Sequence, residues 1–189
     1  KLLRKDKKGN FISIWRGLVR RSGEPVIRKA VHQAMRLLSE NFVLGRTIPE
    51  AVKNSQTALK EGYRYSYDML GEVARTQADA DTYYRAYYNA IAELGKSNSK
   101  HDIFDSPGIS VKLSALHPRY EYRERALVVP LLIARVKELA LHAKANHLSM
   151  TIDAEEAELL DMSLDIFEGV YSDAEFNDWE GLGLAVQAY

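Results

Sequence analysis

Hydrophobic residues recur every three or four positions through residues 1–62, which is the spacing of amphipathic helices. The pattern predicts a short helix within residues 1–22, a second starting at Pro25 and a third capped by Thr47. We therefore expect residues 1–62 to form a helical arm or linker.

From residue 63 onward, short apolar segments alternate with longer helical repeats. A capping box of Thr76 and Asp79 predicts the start of one long helix, and residues 155–168 predict another, acidic one. We expect that acidic helix to bury Leu160, Leu164 and Phe167. The short apolar segments predict four strands, at residues 66–71, 109–113, 148–152 and 182–186.

Strand and helix units that recur in this way indicate a parallel sheet, for which two architectures are common. A doubly wound sheet usually shows a GxGxxG loop after its first strand, and the sequence has none. A (β/α)8 barrel instead places polar residues at the strand ends. The sequence fits the barrel, because its four predicted strands lead to Glu72, Lys112, Asp153 and Gln187.

Each of these four residues has an ordinary explanation when it is considered alone. Glu72 and Asp153 suit the start of a helix, Gln187 suits solvent, and a lysine such as Lys112 often lies along a surface. Strand ends of a barrel converge on one mouth, however. Together, two carboxylates, an ammonium and an amide predict a binding site for a small zwitterionic ligand.

Composition excludes several kinds of site. The sequence has no cysteine and five histidines, none of them closely paired at a metal-ligand spacing, so we expect no metal site. His117 and Arg119 follow the second strand and either face the mouth of the barrel or position a loop; we do not assign His117 as a catalytic base. The tyrosines of the first long helix are expected to pack: Tyr83, Tyr84, Tyr87 and Tyr88.

Charge is distributed unevenly, although the formal net charge is zero. Residues 1–30 carry ten Lys or Arg and two acids, whereas residues 146–189 carry eleven acids and no Lys or Arg. Such asymmetry accompanies some nucleic-acid and membrane contacts. We favour mutual neutralisation of the two ends, or basic segments outside this sequence that complement the acidic end.

Four segments at the predicted strand ends resemble one enzyme family. They are YRYSYDMLGE at 63–72, GISVKLSALHPRY at 108–120, MTIDAEEAELLDMSLDIFE at 150–168 and GLGLAVQAY at 181–189. Their order and spacing resemble those of the proline dehydrogenase domain of the bifunctional flavoenzyme proline utilization A. The resemblance extends over residues 63–189, and the preceding helices are similar to the helical arm of that family.

The resemblance implies a distorted (β/α)8 barrel that holds FAD and oxidises L-proline to Δ1-pyrroline-5-carboxylate, with hydride transfer to flavin N5. Lys112 matches the lysine that contacts the proline carboxylate, and Asp153 matches the acid near substrate and flavin. Glu72 matches a glutamate that orients a substrate-binding arginine later in the enzyme. Gln187 matches a glutamine that hydrogen-bonds the flavin ring.

The resemblance also implies partners beyond this sequence. Only about half of a barrel of roughly 250 residues is present, and the family's paired arginines, most FAD contacts and its aldehyde dehydrogenase domain follow this region. We expect a segment of a longer, homo-oligomeric cytoplasmic enzyme that meets a quinone at the membrane surface when reduced. Alone, the segment is expected to be inactive, and DNA contact is expected only through segments outside it.

Two other function classes stay open from the residues themselves. A Schiff-base aldolase also places a lysine at a barrel strand end, which would make Lys112 a nucleophile. A non-catalytic interaction module would carry the same strands without flavin or activity.

Overall fold

The computed structural model describes residues 25–36, 43–71, 73–99 and 102–187. The chain divides into two compact units, Lys1–Arg46 and Thr47–Tyr189. In the first unit, residues 25–36 form a helix, α1, as Pro25 predicts. The helix predicted within residues 1–22 lies outside the described residues.

The second unit is built on a four-stranded parallel sheet, as the sequence predicted. The strands lie in the order β1-β2-β3-β4, so each strand pairs with its neighbour in the chain. A doubly wound sheet reverses its strand order at a switch point, whereas a barrel adds strands consecutively. The strands are Ser66–Asp68 (β1), Gly108–Val111 (β2), Ser149–Ile152 (β3) and Leu182–Leu184 (β4).

Helices connect and cover these strands. Helix α2 packs on α3, α3 packs on α5, and α5 packs on α6. Short 3-10 turns occupy Tyr122–Glu124, Ala157–Leu159 and Ala174–Phe176. The helices are Ile48–Lys60 (α2), Gln77–Ser97 (α3), Leu113–Leu116 (α4), Arg125–Ala145 (α5) and Leu160–Tyr171 (α6).

Helix α2 belongs to the second unit, whereas the sequence analysis placed it in the arm. Thr47 caps the helix, because its side chain accepts a hydrogen bond of 3.3 Å from the Glu50 backbone. Ser55 is fully buried and shares a 2.9 Å hydrogen bond with the hydroxyl of Tyr67 on β1. This buried polar contact ties α2 to the sheet.

The two faces of the sheet differ in chemistry. Ile109, Val111, Met150 and Ile152 alternate along β2 and β3 and are completely buried on one face. The intervening residues are polar or small, and on this second face Ser66 and Ser110 share a hydrogen bond of 3.1 Å. Because side chains alternate along a strand, each strand presents one apolar and one polar face. The polar face leads to the residues predicted at the strand ends.

The predicted capping box of α3 is confirmed. Thr76 and Asp79 form the capping box of α3, with the Asp79 amide donating to the Thr76 hydroxyl at 3.1 Å. These bonds, the Thr76 side chain first, lower the pKa of Asp79. In α5, Leu132, Val136 and Leu139 are completely buried.

The predicted buried stripe of α6 is wrong. Leu160 and Leu164 are each 42% exposed, and Phe167 is only half-buried. The helix begins later than expected, because a 3-10 turn precedes it. The hydrophobic positions allow two helical stripes, and the one that packs inward contains Met162, Ser163, Ile166 and Val170.

Three strands are shorter than predicted at their carboxyl ends. Strand β1 ends at Asp68, and Gly71 then adopts a φ of 83°, in the left-handed region that glycine readily occupies. Strand β2 ends at Val111, because Leu113 already begins α4. Strand β4 ends at Leu184. In β3, Leu148 precedes the strand and only the starting residue differs.

His142 is expected to make the fold less stable in mild acid. Its ring stacks on Tyr88 at 3.8 Å between centroids, and burial lowers its pKa below the ordinary 6.5. Below pH 6.5 the unfolded chain therefore binds more protons than the folded one, and stability falls as the pH drops toward the folded pKa. We expect His142→Phe, which retains an aromatic ring, to lose part of this dependence.

The measurement is urea unfolding at pH 7.5 and pH 5.5 for the wild type and His142→Phe. His147→Phe is not a suitable control, because His147 has a positive φ of 56°. His32→Phe is the better control, because His32 is exposed on α1. If the change from pH 7.5 to pH 5.5 lowers the free energy of unfolding of the wild type and of His142→Phe by the same amount, burial of His142 does not govern acid stability.

No helix in the described ranges combines the length and hydrophobicity needed to cross a membrane.

Candidate functional site

Lys112 lies at the centre of the strand-end cluster. It follows the last residue of β2, and its ammonium donates to Asp68 at 2.6 Å and to Asp153 at 2.9 Å. Its side chain is 27% exposed, so the ammonium is partly desolvated while an open side remains. Hydrogen bonds between charged groups are stronger than neutral ones, particularly away from bulk water. The ammonium is therefore held in one place.

Asp153 comes directly after β3, as predicted. Its backbone amide donates to the Val111 carbonyl at 2.9 Å, which extends the pairing of β2 and β3 beyond the strand bounds. This register places Asp153 beside Lys112, one residue above the paired Val111 and Ile152. The sequence prediction that these two residues meet at one end of the sheet is supported by this contact.

Asp68 is a site residue that the sequence analysis missed. It is the last residue of β1 and lies on the same polar face, where it pairs in register with Ser110. The predicted strand extended to Gly71, so the strand-end residue was predicted to be Glu72 and not Asp68. A signal was present, because Asp68 interrupts an otherwise apolar and aromatic segment two residues after Ser66.

Of the other two predicted site residues, the structure describes only Gln187. Glu72 lies outside the described residues. Gln187 is exposed and lies three residues after the end of β4. Strand β4 pairs with β3, and this pairing continues past the end of β4, because the Ala185 amide donates to the Ile152 carbonyl at 2.9 Å. Gln187 therefore follows the carboxyl end of the strand adjacent to β3.

A second hydrogen-bonded pair joins the segments that follow β2 and β3. The Ser114 backbone amide donates to Glu155 Oε2 at 3.1 Å, and the Ser114 hydroxyl donates to Oε1 of the same carboxylate. Burial raises the pKa of Glu155 above its ordinary value, and the two bonds from Ser114 oppose that shift. The nearby Tyr120 is buried, which together with Glu155 and Glu156 raises its own pKa.

The loop after α4 is held by His117 and Arg135. The Arg119 amide donates to His117 Nδ1 at 3.1 Å, and burial, Arg135 and Arg119 lower the pKa of His117. Arg135 on α5 donates to the Leu116 carbonyl at 3.0 Å and pairs with Asp81 on α3. His117 thus contributes to the shape of a loop, which is one of the two roles that the sequence left open.

Of the predicted packing tyrosines, Tyr87 also supports the site. Its ring is completely buried, and its hydroxyl accepts a 3.2 Å hydrogen bond from the Lys112 backbone amide. Tyr84 instead donates to Glu138, and burial and that bond raise its pKa to about 12. Tyr87 is thus the tyrosine that fixes the backbone of Lys112.

Tyr87→Phe is expected to reduce the free energy of unfolding by about 1–3 kcal/mol, because it leaves the Lys112 amide without this acceptor. The change retains the buried ring, so the loss reports the hydroxyl alone. Tyr88→Phe on the same helix is the control; Tyr88 is 42% exposed, and we expect a change within about 0.5 kcal/mol. Urea unfolding compares the two, and equal changes would contradict a special role of Tyr87.

Among the described residues, no group of three or more His, Asp and Glu side chains is arranged to hold a metal ion. For the flavin that the resemblance implies, the described residue is Gln187. Gln187 offers an exposed amide, with two donors and an acceptor, and the chain before it carries the small residues Gly183, in β4, and Ala185, just after it. A flavin ring carries nitrogen and carbonyl groups that such an amide can bind.

Comparison with known proteins agrees with this geometry. The family model described as proline dehydrogenase matches residues 51–189, which include all four strands. The chain belongs to the proline dehydrogenase family. A second model, described as the DNA-binding domain of proline dehydrogenase, matches residues 1–42. We expected DNA contact only outside the sequence, whereas this match lies inside it.

Relatives of this proline dehydrogenase chain are long, bifunctional proteins. It is 47% identical over 172 residues to the bifunctional protein PutA of Klebsiella aerogenes, covering 91% of this chain and 13% of the relative. The corresponding protein of Rhizobium meliloti is 50% identical over 172 residues, with 91% and 14% covered. The chain thus spans about one seventh of the length of these relatives.

Solved structures show the same fold. A Bradyrhizobium japonicum proline utilization A mutant matches with a TM-score of 0.72 and 49% identity, covering 91% of this chain and 17% of that one. Proline utilization A of Bdellovibrio bacteriovorus, inactivated by N-propargylglycine, matches with a TM-score of 0.79 and 19% identity. That match covers 87% of this chain and 18% of the other, and it shows the fold alone.

Proposed function

We propose that this chain forms the first half of the catalytic barrel of an FAD-dependent enzyme that oxidises L-proline to Δ1-pyrroline-5-carboxylate. The observation that carries the proposal is the ammonium of Lys112, held between Asp68 and Asp153 at the carboxyl ends of three adjacent parallel strands. Ligands of barrel enzymes bind at this end of the strands.

Lys112 would bind the carboxylate of L-proline. Its ammonium donates to Asp68 and Asp153, which hold it at the carboxyl ends of the strands. A compact ammonium is a suitable donor for a carboxylate oxygen. The substrate carboxylate would add to this cluster on its open side, where the lysine is 27% exposed.

Asp153 and Asp68 would orient the ammonium and shape the charge of the site. L-Proline is a zwitterion, so a site for it needs cationic and anionic groups close together. The side chain of Asp153 is 21% exposed and that of Asp68 is 39% exposed, so Asp153 is the better desolvated of the two. We assign Asp153 the position nearest to the reacting part of the substrate.

Gln187 would hold the flavin, and Glu72 would orient an arginine from a later part of the enzyme. When bound, FAD supplies the acceptor, N5, for the hydride that leaves the ring carbon next to the proline nitrogen. The residues of this chain bind and orient the substrate beside it. The packed apolar face below the cluster excludes water from that side, since Val111 and Ile152 are completely buried.

The complete enzyme would contain partners that this chain lacks. We propose a second half-barrel, an aldehyde dehydrogenase domain, a quinone as electron acceptor at the membrane surface, and a homo-oligomeric cytoplasmic assembly. The small share of the relatives that this chain covers supports a longer protein. On this proposal, the 189 residues alone are inactive.

The test uses the full-length protein that carries this sequence. We expect it to show flavin absorbance and to reduce an artificial dye when L-proline is added. A full-length protein that binds flavin and does not reduce the dye with L-proline would overturn the proposed substrate.

The aldolase alternative predicts a different outcome at the same lysine. A Schiff base needs a neutral amine, whereas the Lys112 ammonium is paired with two carboxylates. Borohydride in the presence of a carbonyl substrate would fix that substrate on Lys112 if the alternative held. We expect no adduct at Lys112 by mass spectrometry. An interaction module, by contrast, would show neither adduct nor proline-dependent dye reduction.

A further inference from the structure

Ser114 and Glu155 occupy equivalent positions after two neighbouring strands. Ser114 lies two residues after Lys112, and Glu155 lies two residues after Asp153. Both the amide and the hydroxyl of Ser114 donate to the one carboxylate. The pair therefore connects α4, which follows β2, to the loop after β3, two residues beyond Lys112 and Asp153.

The local structure explains why this connection falls where it does. Helix α4 starts immediately after β2, and Lys112 occupies the position that usually caps a helix. An ammonium cannot accept a hydrogen bond, and Lys112 makes no side-chain capping bond. Glu155 supplies the missing acceptor from the loop after β3, since the amide of Ser114 lies in the first turn of α4. The Lys112 side chain is thereby directed to the acids of the site.

Burial distinguishes Glu155 from the acids that follow it in the sequence. Glu156, the next residue, is exposed, whereas Glu155 is half-buried and its carboxylate receives both Ser114 bonds. A carboxylate loses hydration when it is buried, so its position depends on the donors that replace water. The Ser114 donors replace part of this hydration, and the contact adds to the pairing of β2 and β3 that already brings Lys112 and Asp153 together.

We propose that Glu155, through Ser114, is a positioning residue that sets the separation of the Lys112 ammonium and the Asp153 carboxylate, and thereby the affinity for the substrate carboxylate. This inference rests on the proposed function. Glu155 does not contact the substrate; it acts through the lysine. Its loss would therefore weaken binding only while Lys112 is present.

A double-mutant cycle in the full-length enzyme tests this directly. Glu155→Ala is expected to raise the KM for L-proline about tenfold, with a smaller effect on kcat, and Glu155→Gln, which retains one acceptor, to give an intermediate increase. In a Lys112→Met background, Glu155→Ala is expected to change KM less than about twofold. Glu156→Ala is the matched control and is expected to leave KM unchanged.

A second readout does not depend on catalysis. The rate at which an amine-reactive reagent labels Lys112, followed by mass spectrometry, is expected to rise several-fold in Glu155→Ala and Glu155→Gln and not in Glu156→Ala. Labelling of Lys96, which is paired with Glu93 on α3, provides the internal reference. Equal KM increases in the wild-type and Lys112→Met backgrounds, or unchanged labelling of Lys112, would overturn the inference.

The two proposals fail in different ways. A wild-type enzyme without proline-dependent dye reduction would reject the proposed function, and the labelling of Lys112 would still decide whether Glu155 positions it. An active wild type in which Glu155→Ala leaves KM unchanged would reject only the role of Glu155.

Discussion

Replacing Lys112 by methionine is expected to raise the KM of the full-length enzyme for L-proline by about 10- to 100-fold. A hydrogen bond to a charged group contributes about 1.5–3 kcal/mol, and each 1.4 kcal/mol corresponds to a factor of ten in affinity. Methionine retains much of the length and apolar stem of lysine without the charge. The change also removes the partner of Asp68 and Asp153. Steady-state dye reduction at varied L-proline concentration gives the value.

Lys96→Met is the control for loss of a lysine. Lys96 pairs with Glu93 within one helix, and its side chain is 72% exposed. Surface pairs of this kind contribute little to stability, so we expect KM and kcat to be unchanged. An unchanged KM in Lys112→Met would show that Lys112 does not bind the carboxylate, provided that thermal unfolding shows a folded protein.

Leu132→Ala is expected to have the largest effect on stability, a loss of about 2–5 kcal/mol in the free energy of unfolding. Leu132 is completely buried on α5, the helix that packs against both α3 and α6. Truncation removes apolar contacts and leaves a cavity that the surrounding helices can fill only partly. A loss of this size is a large part of the stability of a typical domain.

Leu131→Ala is the matched control, because it makes the same chemical change one residue earlier on the same helix. Leu131 is 48% exposed, so its truncation removes less buried surface. We expect a loss below about 1 kcal/mol in urea unfolding. Similar losses for the two variants would contradict the orientation of α5.

Local signals in the sequence located the four strands and the start of α3, although three of the strands end earlier than predicted. In α5, apolar residues are not confined to one face: Leu132, Val136 and Leu139 are buried, whereas Leu131 is 48% exposed. In α6 the apolar residues permit two stripes, and the 3-10 turn before the helix selects between them. A local backbone turn of this kind has no clear hydrophobic pattern, so periodicity could not decide it.

The site was predictable where a polar residue directly follows a strand. Lys112 and Asp153 were found in this way, and their contact follows from the register of β2 and β3. Asp68 and the Ser114–Glu155 pair were missed for two physical reasons. Asp68 required the true end of β1, and the pair required knowledge that α4 starts with a lysine unable to cap it.

The most direct test of the proposed site is an anaerobic titration of the flavin absorbance with L-proline in the full-length enzyme. We compare the wild type with a variant that carries both Lys112→Ala and Asp153→Ala. We expect L-proline to bleach the flavin band of the wild type. We expect the double variant to retain flavin and not to be bleached at the same concentrations. Superimposable titration curves for the two proteins would contradict it.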